Sequence, residues 1–213
     1  MKEDRVTIDE LVLADEPERW SALGFDVDRD RVSLGTVQLR LAGDRAGRGI
    51  VGWTLRRIDS CELDGLATER SSSAPRAPAA AHPNGVVAID HVVAMSPALD
   101  RSVQALQAAG LELRRIREEP TPAGAPRQAF FRLGAEILEV VQVPEQAIER
   151  GGGADGPARL WGLALIVADL DRTVEALGDH AGEARAAVQA GRRIATIKRS
   201  AGTAARWPQD RLS

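Results

Sequence analysis

An α+β fold built from repeated β-α-β-β-β modules is what this chain of 213 residues predicts. Two observations carry the prediction. The first is a near-repeat. IDHVVAMSPALDR at 89–101 and LWGLALIVADLDR at 160–172 each run from an apolar strand through a short turn into Leu-Asp-Arg at a helix start. Repetition at such a period marks duplicated supersecondary units. The second is the order of patterns after the first copy, where one helical period is followed by three strand-like stretches. The copies differ at one chemically important place, with His91 in the first and Gly162 in the second.

The segment 86–143 holds the complete module. VVAIDHVVAM (86–95) is rich in β-branched residues and reads as a buried strand. Leu99, Val103 and Leu106 then fall at i, i+4 and i+7, a helical apolar face, and Gly110 stands where a C′ glycine belongs. LELRRIRE (111–118) alternates as a half-exposed strand does. RQAFFRL (127–133) and EILEVVQV (136–143) flank Gly134-Ala135, a two-residue hairpin turn. The segment 159–199 opens in the same way, with Asp169 as N-cap and Leu170, Val174 and Leu177 on one helical face. A short strand near 184–188 and another at 192–199 follow, after which the pattern stops.

Residues 1–70 echo the module more faintly. VTIDELVL (6–13) resembles the strand at 87–94 and puts Glu10 where His91 stands. In the hairpin RVSL-GT-VQLRL, Arg40 takes the register of Glu139 relative to the turn. GIVGWTLR (49–56) reads as the stub of a further copy. Residues 71–85, rich in Ser, Ala and Pro, form a linker. The expected organisation is a divergent N-terminal part (1–70), that linker, and a C-terminal part (86–213) with one complete module (86–143) and one incomplete module (159–199).

Bulk properties narrow the function classes. A formal net charge of −3, from 28 basic and 31 acidic side chains, gives no electrostatic case for nucleic acid or an anionic membrane surface. No apolar run approaches the ~18 residues of a membrane span. The single cysteine, Cys61, permits no intramolecular disulfide and points to a reducing cytoplasm. Abundant Ala, Arg and Gly with no Tyr suits a GC-rich bacterial coding bias. There is no Ser/His/Asp signature and no phosphate-loop context around GGGADG, so no catalytic nucleophile is assigned.

Two polar residues interrupt apolar strand faces. His91 shares its face with Ile89 and Val93, and Glu139 shares its face with Ile137 and Val141. A buried carboxylate needs a hydrogen bond, a cation or a metal. If strands one and four of the module lie side by side, the imidazole and carboxylate share a site. Such a pair suits Zn, Fe, Mn, Co or Ni, and equally forms a buried His–Glu contact. Trp161 is a candidate pocket wall, and Arg132 and Arg193 are candidates to hold an anionic substrate. His82, in the linker, reads as solvated.

The run IDHVVAMSPALDRSVQALQAAGLELRR…RQAFFRLGAEILEVVQ resembles a module of the vicinal oxygen chelate superfamily, the group of glyoxalase I, bleomycin-resistance proteins and extradiol dioxygenases. LWGLALIVADLDRTVEALG resembles the opening of a second module. The resemblance implies paired modules whose sheets curl around a cleft. It also implies a divalent metal held by a His on a first strand and a Glu on a last strand, which match His91 and Glu139 here. Gly162 departs from this pattern, and no last strand is recognisable after Lys198. Three explanations compete: a cleft that binds without metal, ligands supplied by a partner chain in a homodimer, or a tail read from a shifted frame. The expected function is therefore small-molecule binding in a β-sheet cleft with a degenerate metal site. The alternative is a metal-dependent lyase, isomerase or dioxygenase.

Overall fold

In a computed structural model the chain is described over residues 5–120, 124–150, 153–187, 191–198 and 201. The segment after Lys198 therefore lies, apart from Ala201, outside the described residues. The N-terminal half runs β1 (Thr7–Leu13), α1 (Pro17–Ala22), β2 (Arg31–Leu34), β3 (Val37–Leu41), β4 (Ile50–Arg56) and β5 (Thr68–Ser71). These strands form one sheet in the order β2-β3-β1-β4-β5. The C-terminal half runs β6 (Val86–Ser96), α2 (Leu99–Ala108), β7 (Glu112–Arg117), β8 (Gln128–Leu133), β9 (Glu136–Gln142), α3 (Glu145–Arg150), β10 (Arg159–Val167) and α4 (Leu170–Leu177). Its sheet has the order β10-β6-β9-β8-β7. The short strands β11 (Arg185–Ala186) and β12 (Arg193–Ile194) pair only with each other.

The expected β-α-β-β-β order is present in β6-α2-β7-β8-β9. Local chemistry sets its corners. Helix α2 ends where Gly110 takes φ +90, with Gly110 N–H donating to the Gln107 carbonyl and Leu111 N–H to the Leu106 carbonyl. That is the double closure in which a left-handed glycine satisfies the last free carbonyls. Gly134 (φ +70) turns the β8–β9 hairpin, and Gly35 (φ +58) turns β2–β3 at the equivalent place. The Asp169 side chain accepts from Arg172 N–H at 3.1 Å and caps α4.

Four strands of each sheet repeat each other: β2, β3, β1 and β4 match β8, β9, β6 and β10, while β5 and β7 have no counterpart. β1 lies parallel to β3 and antiparallel to β4, as β6 lies parallel to β9 and antiparallel to β10. Glu10 pairs with Gln38 and Val12 with Arg40, while His91 pairs with Ile137 and Val93 with Glu139. Across the other edge, Val12 pairs with Gly52 and Val93 with Gly162. Glu10 and Arg40 thus stand where His91 and Glu139 stand, as the sequence suggested, and GIVGWTLR takes the role of the β10 strand.

Alternate residues divide the faces. Leu11, Leu39 and Trp53 of the first sheet join Val92, Leu138 and Leu163 of the second, with Leu99 and Leu106 of α2, in one contiguous core cluster. Burying each large apolar side chain contributes about 1.5–3 kcal/mol. The residues between them (Glu10, Arg40 and Thr54 in one sheet, His91, Ile137 and Glu139 in the other) turn to the opposite faces. Those faces carry the candidate chemistry.

The Ser/Ala/Pro segment between the halves is largely exposed but anchored at a few residues. His82 is 7% exposed. Its Nδ1 accepts from Asp26 N–H at 3.0 Å, its Nε2 lies 2.9 Å from the Ser33 carbonyl, and its ring meets Phe25 edge-on. The Asn84 amide donates to the Leu23 carbonyl, and Ala79 N–H to the Gly35 carbonyl. His82 reads as solvated in the sequence because its partners, Asp26 and Ser33, lie ~50 residues earlier, beyond any local pattern. Among the described residues no helix is long and apolar enough to cross a membrane.

Candidate functional site

Strands β6 and β9 are neighbours, so the first and last strands of the module bring His91 and Glu139 together. His91 Nε2 lies 3.3 Å from Glu139 Oε2. Both residues are nearly enclosed, at 5% and 4% exposed. His91 Nδ1 lies 2.6 Å from Asp90 Oδ2. A carboxylate only accepts, so the Nδ1 proton points at Asp90 and fixes the ring. That hydrogen bond holds the Asp90 carboxyl below the usual carboxylate range, against the effect of its burial. Arg192, 3.5 Å from Asp90, acts in the same direction. Gln128, on β8, donates its amide to Glu139 Oε1.

His91 Nε2 is buried and has no hydrogen-bond partner among the described residues, because its approach to Glu139 lacks hydrogen-bond geometry. A lone pair beside a carboxylate is repelled unless a proton or a cation lies between them. With the imidazole protonated, the attraction at 3.3 Å is about 5 kcal/mol at an effective dielectric of about 20. A divalent ion would satisfy both groups directly, and the Asp90–His91 contact is the outer support that metal-bound imidazoles use. The pair therefore fits two positions of a metal's coordination. Among the described residues no group of three or more His, Cys, Asp or Glu side chains is arranged to hold one. Gly162 faces Val93 across the β6–β10 pairing and Ala164 faces His91, a local twofold relation that matches Gly162 with His91. The position that would supply the symmetric ligand has no side chain.

His91, Gln128 and Glu139 open into a cavity of about 630 Å³. Arg115, Arg117, Arg132 and Arg192 also line it, with Phe130 and Ile137. Arg115 lies over the Phe130 ring at 4.7 Å, and Arg132 donates to the Ala135 carbonyl at 3.3 Å. Of the three further candidates from sequence, only Arg132 lines this cavity. Trp161 packs with Val93, Met95, Val141 and Ala125 in a small separate cluster. Arg193 turns away to pair with Asp171, both contacts at 2.8 Å, and its neighbour Arg192 enters the cavity instead. Gln128 and Phe130 could have been found from sequence, since they precede Arg132 at i−4 and i−2 on one strand face. Arg192 had no such signal, because β12 is only two residues long.

No family model matches the chain, and no curated protein matches it either. Among solved structures, the chain is similar to a triple mutant of 4-hydroxymandelate synthase from Streptomyces coelicolor. The identity is 17%, the match covers 81% of this chain and 75% of that one, and the TM-score is 0.53. It is also similar to a xylose isomerase-like TIM barrel/4-hydroxyphenylpyruvate dioxygenase fusion protein at 15% identity and TM-score 0.52. That match covers 80% of this chain and 38% of the fusion protein. At these identities the likeness is one of fold.

Proposed function

We propose that this chain, which has the fold of the vicinal oxygen chelate superfamily, binds a small organic anion in the cleft of its C-terminal sheet. The observation that carries the reading is the composition of that cleft. Four guanidinium groups, from Arg115, Arg117, Arg132 and Arg192, line it against two carboxylates, Asp90 and Glu139. Excess positive charge in a concave site attracts and orients an anion. Phe130, Ile137 and Ile194 supply apolar surface for the rest of the molecule. The volume falls within the ~300–1,000 Å³ of small-molecule pockets. His91 and Gln128, both buried, would orient the polar end. Calorimetric titration of metal-stripped protein with aromatic and aliphatic carboxylates tests this. Saturable binding, weakened about tenfold in Arg132→Gln or Arg192→Gln, one lost charged hydrogen bond each, is the expected result. Neutral analogues binding as tightly as the acids would refute it.

The orphaned His91 Nε2 beside Glu139 favours a second reading, a metal-dependent lyase, isomerase or dioxygenase. In that case His91 and Glu139 would hold a divalent ion, with other ligands from a partner chain docked along the β10 edge. The ion would supply Lewis acidity to the oxygens of a bound molecule. Asp90 would hold the His91 ring in place, and the arginines would position the substrate. Stoichiometric binding of Mn, Fe(II), Co, Ni or Zn, lost in both His91→Ala and Glu139→Ala, would favour this reading over the first.

A further inference from the structure

The N-terminal sheet carries its own polar pocket at the place where the C-terminal sheet carries the His91–Glu139 pair. At the equivalent register stand Glu10 and Arg40, joined by an ion pair at 3.0 Å. Arg31 adds a second contact to Glu10 at 2.5 Å. Asp9, next in the chain, is held by Arg56, Arg76 and the Ser71 hydroxyl. Burial pushes the Asp9 carboxyl up, but the Ser71 hydrogen bond and then Arg76 and Arg56 together hold it below the usual carboxylate range. The pocket measures about 370 Å³ and is also lined by Arg70, Ser72 and Ser73.

Its charges do not balance. Arg31, Arg70 and Arg76 line it against two carboxylates, Asp9 and Glu10, which also pair with Arg56 and Arg40 beside the pocket, and the only other carboxylate on these arginines among the described residues is Asp30, 3.7 Å from Arg31. Arg70 uses one nitrogen on the Asp59 carbonyl and has no carboxylate within ion-pair distance among the described residues. Thr54, the cross-strand partner of Glu10, also lines the pocket. Its Oγ1 is buried and has no hydrogen-bond partner among the described residues. A buried hydroxyl is normally satisfied. One left open beside surplus guanidinium donors is complementary to an oxygen-rich anion.

We infer that this second pocket binds a phosphate group, either free or carried on a small molecule. The donors come from β2, β4, β5 and the segment after β5, so they line the pocket from more than one strand. That arrangement suits a tetrahedral dianion better than a planar carboxylate. The two halves of the chain have thus diverged in charge at two register positions. The inference stands apart from the reading of the C-terminal cleft.

The test is titration of the full chain with inorganic phosphate, followed by amide chemical shifts and by calorimetry. Saturable binding is expected, with shifts centred on Thr54 and Ser71–Ser73. Affinity should fall at least tenfold in an Arg31→Gln/Arg70→Gln variant and about threefold in Thr54→Val, which keeps the shape of the side chain, while Arg193→Gln, outside both pockets, leaves it unchanged. Phenyl phosphate binding more tightly than phosphate would identify a phosphorylated small molecule, and equal binding would identify free phosphate. The inference is overturned by an absence of saturable binding, by shifts centred on His91 and Arg192, by succinate binding as tightly, or by folded variants that retain wild-type affinity.

Discussion

Replacing His91 and Glu139 separately and together distinguishes a pair kept for binding from a pair kept for folding. Both side chains are nearly enclosed on a strand face shared with Val93, Ile137 and Val141. His91→Val leaves the Glu139 carboxylate without the imidazole 3.3 Å away, and breaking one side of a buried pair costs about 3–5 kcal/mol. Glu139→Val removes the group facing His91 Nε2 and the acceptor of the Gln128 amide. A buried polar group left unsatisfied costs about 1–3 kcal/mol. The double substitution instead continues the valine face already begun by Val93 and Val141. Replacing a buried ionic pair with well-packed apolar residues is commonly neutral or stabilising by about 1–4 kcal/mol. With the Gln128 amide turned toward the cavity, the double variant is expected within about 1 kcal/mol of wild type, a coupling of at least about 3 kcal/mol. Urea denaturation at pH 7 with a chelator present measures all four proteins. A double variant that loses the sum of the two single losses would refute the reasoning, because each residue would then hold the fold through separate contacts.

Glu136 begins β9 at 3% exposed, and burial pushes its carboxyl above the usual carboxylate range, with the Thr36 hydrogen bond and Arg132 and Arg56 opposing. A native state that binds this proton more tightly than the unfolded chain loses stability as pH rises from the ordinary carboxylate pKa through the raised one. Glu136→Gln should therefore raise stability at neutral pH and make little difference at acid pH. Stabilities that differ from wild type by a constant amount across pH would contradict the direction of that shift. His82→Ala should cost about 2–4 kcal/mol through two lost hydrogen bonds and the Phe25 contact. A loss under about 0.5 kcal/mol, as for an exposed side chain, would mean that the segment between the halves is not docked.

The sequence was most legible where a short-range period meets a turn residue. The β6-α2-β7-β8-β9 order, Gly110 closing α2 and Gly134 turning the hairpin all follow from patterns within ~10 residues. The meeting of His91 and Glu139 was legible too, because both break an apolar period-2 face. Long-range placement was not. His82 looked solvated beside Pro83, yet its partners are Asp26 and Ser33. Arg192 and Arg193 are adjacent and chemically identical, and only the fold decides that Arg192 enters the cavity while Arg193 pairs with Asp171. The exact register of the N-terminal repeat was faint for a similar reason. Substituting Glu10 and Arg40 for His91 and Glu139 conserves strand pairing while changing the chemistry on the exposed face, so the likeness survives in backbone more than in residues.

The most direct test of the central claim is calorimetric titration of a small aromatic carboxylate into metal-stripped protein, repeated with each divalent ion present. The account predicts saturable binding without metal, weakened in Arg132→Gln and Arg192→Gln. Binding that appears only with a divalent ion and vanishes in Glu139→Ala would contradict it, and would make the His91–Glu139 pair a working metal centre.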